Sequence, residues 1–260
     1  MNLAEYFWWL SWYNVILLSR KKSIFELPKN LKVSREYTDI YDCDFNLEKE
    51  SIIIHLARTS TSDLNMFKAK ELKLKDYINS FEPLKIICFS SSVLYIEWTN
   101  TYKEEKKIFE DVWNSNSLLI RLFNTYWKYQ LPKVQWSLVT TIFYNFLTSG
   151  ITELNNINQS RDFIYAWDIW VIINIYINNN ISWIVDLWYE SKKFRELINN
   201  HIQPIILNTD SIKILWSNND WIFNIKPKNK IDINYTDINK WLNITYDFIK
   251  LNINKYKQWK

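Results

Sequence analysis

The chain has 260 residues, of which 48% are hydrophobic and 23% charged. That excludes a disordered tail and supplies enough apolar material for a full core. A net charge of +4 attracts phosphate only weakly. Cys43 and Cys88 are the only two cysteines and sit far apart, which excludes a disulfide framework and a cysteine-built zinc site.

In chain order, the apolar run Tyr6–Leu18 predicts a buried N-terminal helix, too short and too interrupted by Ser11 and Asn14 to span a membrane. Arg20–Glu50 reads as an extended basic arm. Ser51–Leu56 is a β-branched run of the kind that forms a strand buried on both faces. Residues 65–81 are amphipathic, with Phe67, Leu74, Ile78 and Phe81 on one face, and Pro83 ends the helix. Leu84–Phe89 predicts a second strand and Ser90-Ser91-Ser92 the turn after it, so the first three elements form a parallel crossover unit.

Lys103–Trp113 predicts a charged helix, and Leu118–Trp127 fits helix or strand equally. Trp136 to about Ile177 reads as two successive helices, a hairpin projecting from the sheet layer. Ile181–Asp186 predicts a third strand, followed by a helix from Ser191 with Phe194, Leu197 and Ile198 facing inward. Pro204–Leu207 predicts a fourth strand and Trp221–Phe223 a short edge strand. Thr236 is the expected N-cap of a last helix whose buried stripe is Ile238, Trp241, Leu242, Thr245, Phe248 and Ile249. The alternation predicts an α/β fold: a doubly wound, flavodoxin- or Rossmann-like parallel sheet with helices on both faces and a protruding helical hairpin. The expected organisation is an N-terminal helix and arm over 1–50, an α/β domain over 51–235 with an inserted helical region at about 136–177, and a C-terminal helix over 236–260.

Four strand ends then resemble one family. Ile53-Ile54-His55-Leu56-Ala57-Arg58-Thr59, Lys85–Ser91, Trp183-Ile184-Val185-Asp186 and Pro204–Ser211 resemble, in this order, strands of the bacterial-type small-subunit ribosomal protein S-two family. Gln135-Trp136 stands where that family has Arg-Trp before two glycines, and the family's N-terminal glycine–histidine signature is absent. The resemblance implies a structural, non-enzymatic constituent of a small ribosomal subunit. Its partners would be rRNA and neighbouring ribosomal proteins, with no cofactor and no small-molecule substrate. An excess of Ile, Asn, Lys and Tyr, together with 15 Trp, fits an A/T-rich genome that reads UGA as Trp. The expected source is therefore an organelle genome, and the expected place a mitochondrial ribosome.

Phosphate contact on that reading falls to Arg20, Lys21, Lys22, Lys29, Lys32, Arg35, Lys228 and Lys230, cations in segments expected to be irregular. The aromatic excess reads chiefly as core filler, with base stacking on exposed rings as the alternative. Glycine-rich phosphate loops are ruled out, since Gly150 is the only glycine and follows no buried strand. His55 and His201 read as structural, and Asp186 and Asp210 as strand-end carboxylates that accept backbone hydrogen bonds. Two competing readings stand beside the ribosomal one. The first is an accessory subunit of an organelle respiratory membrane complex, from the aromatic N-terminus; the second is a divergent α/β enzyme using Asp186 and Asp210.

Overall fold

The computed structural model describes residues 15–20, 33–59, 61–115, 117–132, 138–155, 160–179, 184–188, 191–206, 212–215, 228 and 235–258. Its centre is a four-stranded parallel sheet of β3 (Ile52–His55), β4 (Lys85–Ser91), β5 (Ser117–Leu122) and β10 (Ile184–Leu187), in the lateral order β10-β5-β4-β3. Both faces are covered. On one side Phe67, Leu74 and Ile78 of α1 (Leu64–Asn79) and Phe109, Val112 and Trp113 of α2 (Thr101–Trp113) pack on Ile86, Cys88 and Leu119. On the other, Ile169, Trp170, Ile172, Ile173 and Ile177 of α4 (Ala166–Asn179) pack on Ile87, Phe89, Leu118, Ile120 and Val185. Each fully buried side chain of this size contributes roughly 1.5–3 kcal/mol. The Lys85 ammonium donates to the carbonyls of Tyr176 (3.1 Å) and Ile177 (2.6 Å), so a cation sits on the negative end of α4 and fastens it to the start of β4.

A second parallel pair, β1 (Val15–Leu18) and β2 (Val33–Glu36), lies against the same layer. Val15 packs with Ile52 and Ile54 on one face, and Leu18 with Ile53 on the other. Residues 15–18 are therefore strand, not the end of a helix, and the expected arm contains a paired strand and a 3-10 turn at Ile40–Asp42. The rest of the predicted N-terminal helix lies outside the described residues.

Beyond β5 the chain builds a second cluster. It gathers Val139, Ile142 and Phe143 of α3 (Leu138–Ser149), a helical run α5 (Phe194–Ile206), Ile238, Leu242 and Ile249 of α6 (Ile238–Leu251) and Tyr256 of α7 (Ile253–Gln258). The Tyr165 and Trp241 rings stack there at 4.1 Å. β6 (Thr125–Tyr126), β7 (Thr152–Asn155), β8 (Ser160–Asp162), β9 (Ile164–Tyr165), β11 (Ser191–Lys193) and β12 (Ile212–Leu215) form two-stranded pairs, β6 with β9, β7 with β12 and β8 with β11.

The doubly wound α/β class holds, with four local corrections. Strands β7–β9 separate α3 from α4, and α4 lies flat on the sheet, so the two helices form no projecting hairpin. Pro204–Ile206 is helical, not a strand. A π turn at Ile198–Ile202, in which the Gln203 N–H donates to the Ile198 carbonyl, precedes Pro204 and breaks the regular ladder just where that residue has no N–H to give. Ser191–Lys193 is strand, and the helix begins only at Phe194. Asp237 caps α6, accepting from the Asn239 (2.7 Å) and Lys240 (3.2 Å) backbone, while Thr236 donates instead to Asp168 at 2.8 Å. Trp221–Phe223 and Asp210 lie outside the described residues.

Candidate active site

Polar groups gather at the carboxyl ends of the central strands, the face on which open parallel sheets of this class bind ligands. β4 ends in Ser90 and Ser91. Ser91 caps the 3-10 turn Ser92–Tyr95 by accepting from the Val93 N–H at 3.2 Å, whereas the buried Ser90 hydroxyl has no partner among the described residues. The chain then enters α2, capped by Asn100, whose side chain accepts from the Lys103 N–H at 2.8 Å. That cap places Tyr102 on the first turn, 37% exposed, and Lys106 one turn later on the same side.

The Lys106 ammonium donates to the Phe89 carbonyl at 3.1 Å, reaching back over the end of β4, and lies 5.8 Å from the centre of the Tyr102 ring. Its pKa is pushed down to about 8, chiefly by burial, while the charge of Glu71 opposes the shift. The Arg58 guanidinium also sits 5.2 Å from the centroid of that ring and pairs with the buried Glu105 through Nε (2.8 Å) and Nη2 (2.6 Å). A phenol can pass a proton to or from a substrate, and an ammonium one turn away can stabilise the phenolate form. The arrangement therefore suits proton transfer at a hydroxyl or carbonyl.

Two buried networks hold the site in place. Beneath α2, Glu71 is fully buried. It accepts from the Tyr41 hydroxyl (2.7 Å) and the Trp113 indole N–H (3.0 Å) and meets His55 Nε2 at 3.2 Å. Burial alone would raise this carboxyl, but the hydrogen bonds from His55, Trp113 and Tyr41 outweigh it and hold the group below its usual value. His55 is thus structural, as expected. Beside it, Arg121 on β5 pairs bidentately with Glu110 of α2 (2.8 and 2.6 Å) and donates to the Tyr95 hydroxyl at 2.7 Å. Tyr95 in turn donates to Asp186 at 2.7 Å, and its hydroxyl is pushed up to about 12 by burial and then by that carboxylate. Asp186 also accepts from the Lys228 backbone N–H at 2.7 Å, the structural role expected of it.

A cavity of about 190 Å³ opens next to the end of β5, lined by Asn124, Thr125, Tyr126, Arg161, Phe163 and Phe194. Asp162, beside Arg161 on β8, accepts from Asn124 through its backbone N–H (3.2 Å) and side-chain amide (3.3 Å). Burial pushes the Asp162 carboxyl up to about 7, against those hydrogen bonds. Between about pH 4, where a free Asp titrates, and this value the native chain holds a proton that the unfolded chain has released. Its contribution to stability therefore falls as pH rises through that window. Asp162→Asn should gain stability on the native protein by a few kcal/mol at pH 8 but not at pH 4, read as a difference in urea midpoints. Equal shifts at both pH values would refute this account.

Of the cations expected to meet phosphate, Arg20 follows β1, between the Arg58 carbonyl and Asp39. Arg35 lies in β2, and Lys228 is exposed, with its Nζ 5.6 Å from the Tyr95 ring centre. Lys21, Lys22, Lys29, Lys32 and Lys230 lie outside the described residues. His201 is inside the π turn, its Nδ1 2.8 Å from Asn239 Oδ1. Tyr102 and Lys106 were missed from sequence. Their signal is a Tyr-x-x-x-Lys spacing on a helix entered from a Ser-Ser-Ser strand end, which reads on its own as a solvated face.

A parallel sheet wrapped on both faces, with its polar groups collected at one edge, defines a doubly wound α/β protein of the Rossmann-like kind. Within that class the chain shares the fold of NAD-dependent sugar-nucleotide dehydratases and epimerases. A dTDP-glucose 4,6-dehydratase from Bacillus anthracis, solved with NAD, matches at a TM-score of 0.73 with 14% identity over 100% of this chain and 95% of that one. DesIV, a dTDP-glucose 4,6-dehydratase from Streptomyces venezuelae, matches at 0.74 with 14% identity over 100% and 96%. A UDP-glucuronic acid 4-epimerase from Bacillus cereus matches at 0.69 with 15% identity over 97% and 95%. No protein-family model and no curated protein sequence matches the chain.

These matches overturn the resemblance to the ribosomal S-two family. The strand ends that carried it are common to parallel α/β sheets, and Pro204–Ile206, part of its last motif, is helix. With it go the expectations that depended on it: a structural non-enzyme, rRNA and ribosomal-protein partners without a small-molecule substrate, and a mitochondrial ribosomal location. The respiratory-complex alternative has no support either. Among the described residues no helix is long and apolar enough to cross a membrane.

Proposed function

We propose that the chain is an enzyme of the NAD-dependent dehydratase or epimerase kind, acting on a sugar nucleotide with Tyr102 as the proton-transferring group. The observation that carries this reading is the half-buried Lys106, tethered to the end of β4 and one helical turn behind an exposed Tyr102. Fold likeness alone would not suffice, since one α/β scaffold hosts many chemistries. The neighbours' own descriptions agree with it: several are solved with NAD, and the Bacillus cereus epimerase is also solved as a tyrosine-to-phenylalanine variant holding UDP-4-deoxy-4-fluoro-glucuronic acid.

The residues present fit the reacting end of such a cofactor. The Ser90 hydroxyl is buried with no partner among the described residues, and the Lys106 ammonium has three donors, one of which meets the Phe89 carbonyl. Both can meet polar groups of a ligand over β4. NAD, when bound, supplies a reversible hydride acceptor. Tyr102, as a phenolate stabilised by the Lys106 ammonium, takes the proton from the sugar hydroxyl as that carbon is oxidised and, as a phenol, returns it on reduction. Arg161, with Asn124 beside it in the cavity past β5, suits the diphosphate of the sugar nucleotide.

The test is direct. The purified chain should bind NAD, seen as quenching of tryptophan fluorescence, and should convert at least one member of a panel of UDP- and dTDP-hexoses, read by product chromatography. A folded protein that neither binds NAD at millimolar concentration nor alters any of these sugars would overturn the proposal.

A further inference from the structure

Sheets of this class usually meet the dinucleotide's pyrophosphate with a glycine-rich turn after the first strand, where backbone N–H groups approach the phosphates unhindered. This chain cannot do so, because Gly150, its one glycine, lies at the far end of α3. The turn after β1 begins instead with Ser19 and Arg20, with Lys21 and Lys22 next in sequence. We propose that Arg20 is the anchor for the pyrophosphate of the dinucleotide, a charged side chain standing where relatives in fold use bare backbone.

Three observations bear on it. First, Arg20 is positioned by the exits of all three neighbouring strands. It follows β1, its Nη2 donates to the Arg58 carbonyl after β3 at 3.2 Å, and its Nη1 lies 3.7 Å from Asp39 after β2. Second, its side chain remains 46% exposed at that junction, so donors are left for a ligand. The Asp39 contact is long, and the other Asp39 oxygen is engaged by the Tyr41 N–H at 3.2 Å. Third, Arg20, Arg58 and Lys106 follow one another along the carboxyl edge and lead to Tyr102. A ligand with a doubly charged centre and a reactive end at the tyrosine matches that row. Guanidinium binds phosphate oxygens in pairs, so a single Arg can replace several amide donors.

This inference rests on the functional reading above, and its test separates the two. NAD binding is titrated by tryptophan fluorescence at low and high salt, for the native chain, Arg20→Ala and Arg20→Lys, with circular dichroism confirming that each is folded. The native chain should bind more weakly as salt rises, because an exposed cation holds the phosphates. Arg20→Ala should bind at least tenfold more weakly at low salt and lose most of the salt dependence, while Arg20→Lys keeps the salt dependence with intermediate affinity. If the native chain binds NAD and Arg20→Ala binds it equally well with the same salt response, the Arg20 assignment is wrong and the functional reading stands. If the folded native chain binds no NAD, the functional reading fails and takes this assignment with it.

Discussion

Replacing Tyr102 with Phe should lower kcat by about 10²–10⁴-fold while leaving NAD affinity and the melting temperature near those of the native chain. The ring is exposed, and its hydroxyl bonds no described group, so its loss removes a proton carrier and little else. Lys106→Met should be milder and differently shaped. Lys106 is charged below about pH 8 and neutral above it, so native activity that depends on its ammonium should decline as pH rises through that value. Without the ammonium, that decline near pH 8 should be missing from the variant's pH–rate profile. Full turnover by Tyr102→Phe would remove this residue from the chemistry, and an unchanged profile in Lys106→Met would separate the pair.

Glu71→Ala should destabilise the fold by about 3–5 kcal/mol, the range for stripping one partner from a buried ionic network. Three groups lose their acceptor at once: the Tyr41 hydroxyl, the Trp113 indole and the His55 ring, all in a region closed to water. The sign with pH is fixed by the lowered carboxyl. Its contribution is complete above the unfolded value of about 4.3 and is lost as pH falls through the lower native one. Denaturant melts of the native chain and the variant should therefore converge in acid. A difference below about 1 kcal/mol at pH 7 would mean that the cluster is relaxed rather than tightly coupled.

Much of the sheet could be read in advance because its strands are buried on both faces and so appear as uninterrupted β-branched runs: Ile52–His55, Lys85–Phe89 and Ile184–Asp186. The stripe of α6 was equally plain, with Ile238, Leu242, Thr245 and Ile249 all buried. Ile205-Ile206 shows the limit of such runs, since two apolar residues after a proline look the same in a strand and in the buried face of a short helical turn. The proposed catalytic pair is hidden for a different reason. A lysine among charged neighbours on a helix reads as solvated, and only the fold discloses that Lys106 turns inward to the Phe89 carbonyl. Glu71 did leave a trace: it interrupts the stripe Phe67, Leu74, Ile78 at a position that must face the sheet. Arg20 reads from sequence as a phosphate contact, but its neighbours after β2 and β3 are distant in the chain, and the expectation of RNA there rests on strand-end likenesses that many α/β proteins share.

The path of the chain between its two clusters sets the order in which the protein can be finished. The polypeptide leaves the sheet at Leu122, lays down α3, returns as α4 and β10 to close the far edge beside β5, then departs again to complete the other cluster with α5 through α7. During synthesis the first three sheet strands emerge with Ile120 and Leu118 still bare, and that surface stays open until Ala166–Leu187 arrives to cover it. A nascent chain stalled before residue 166 would expose a sticky apolar plate.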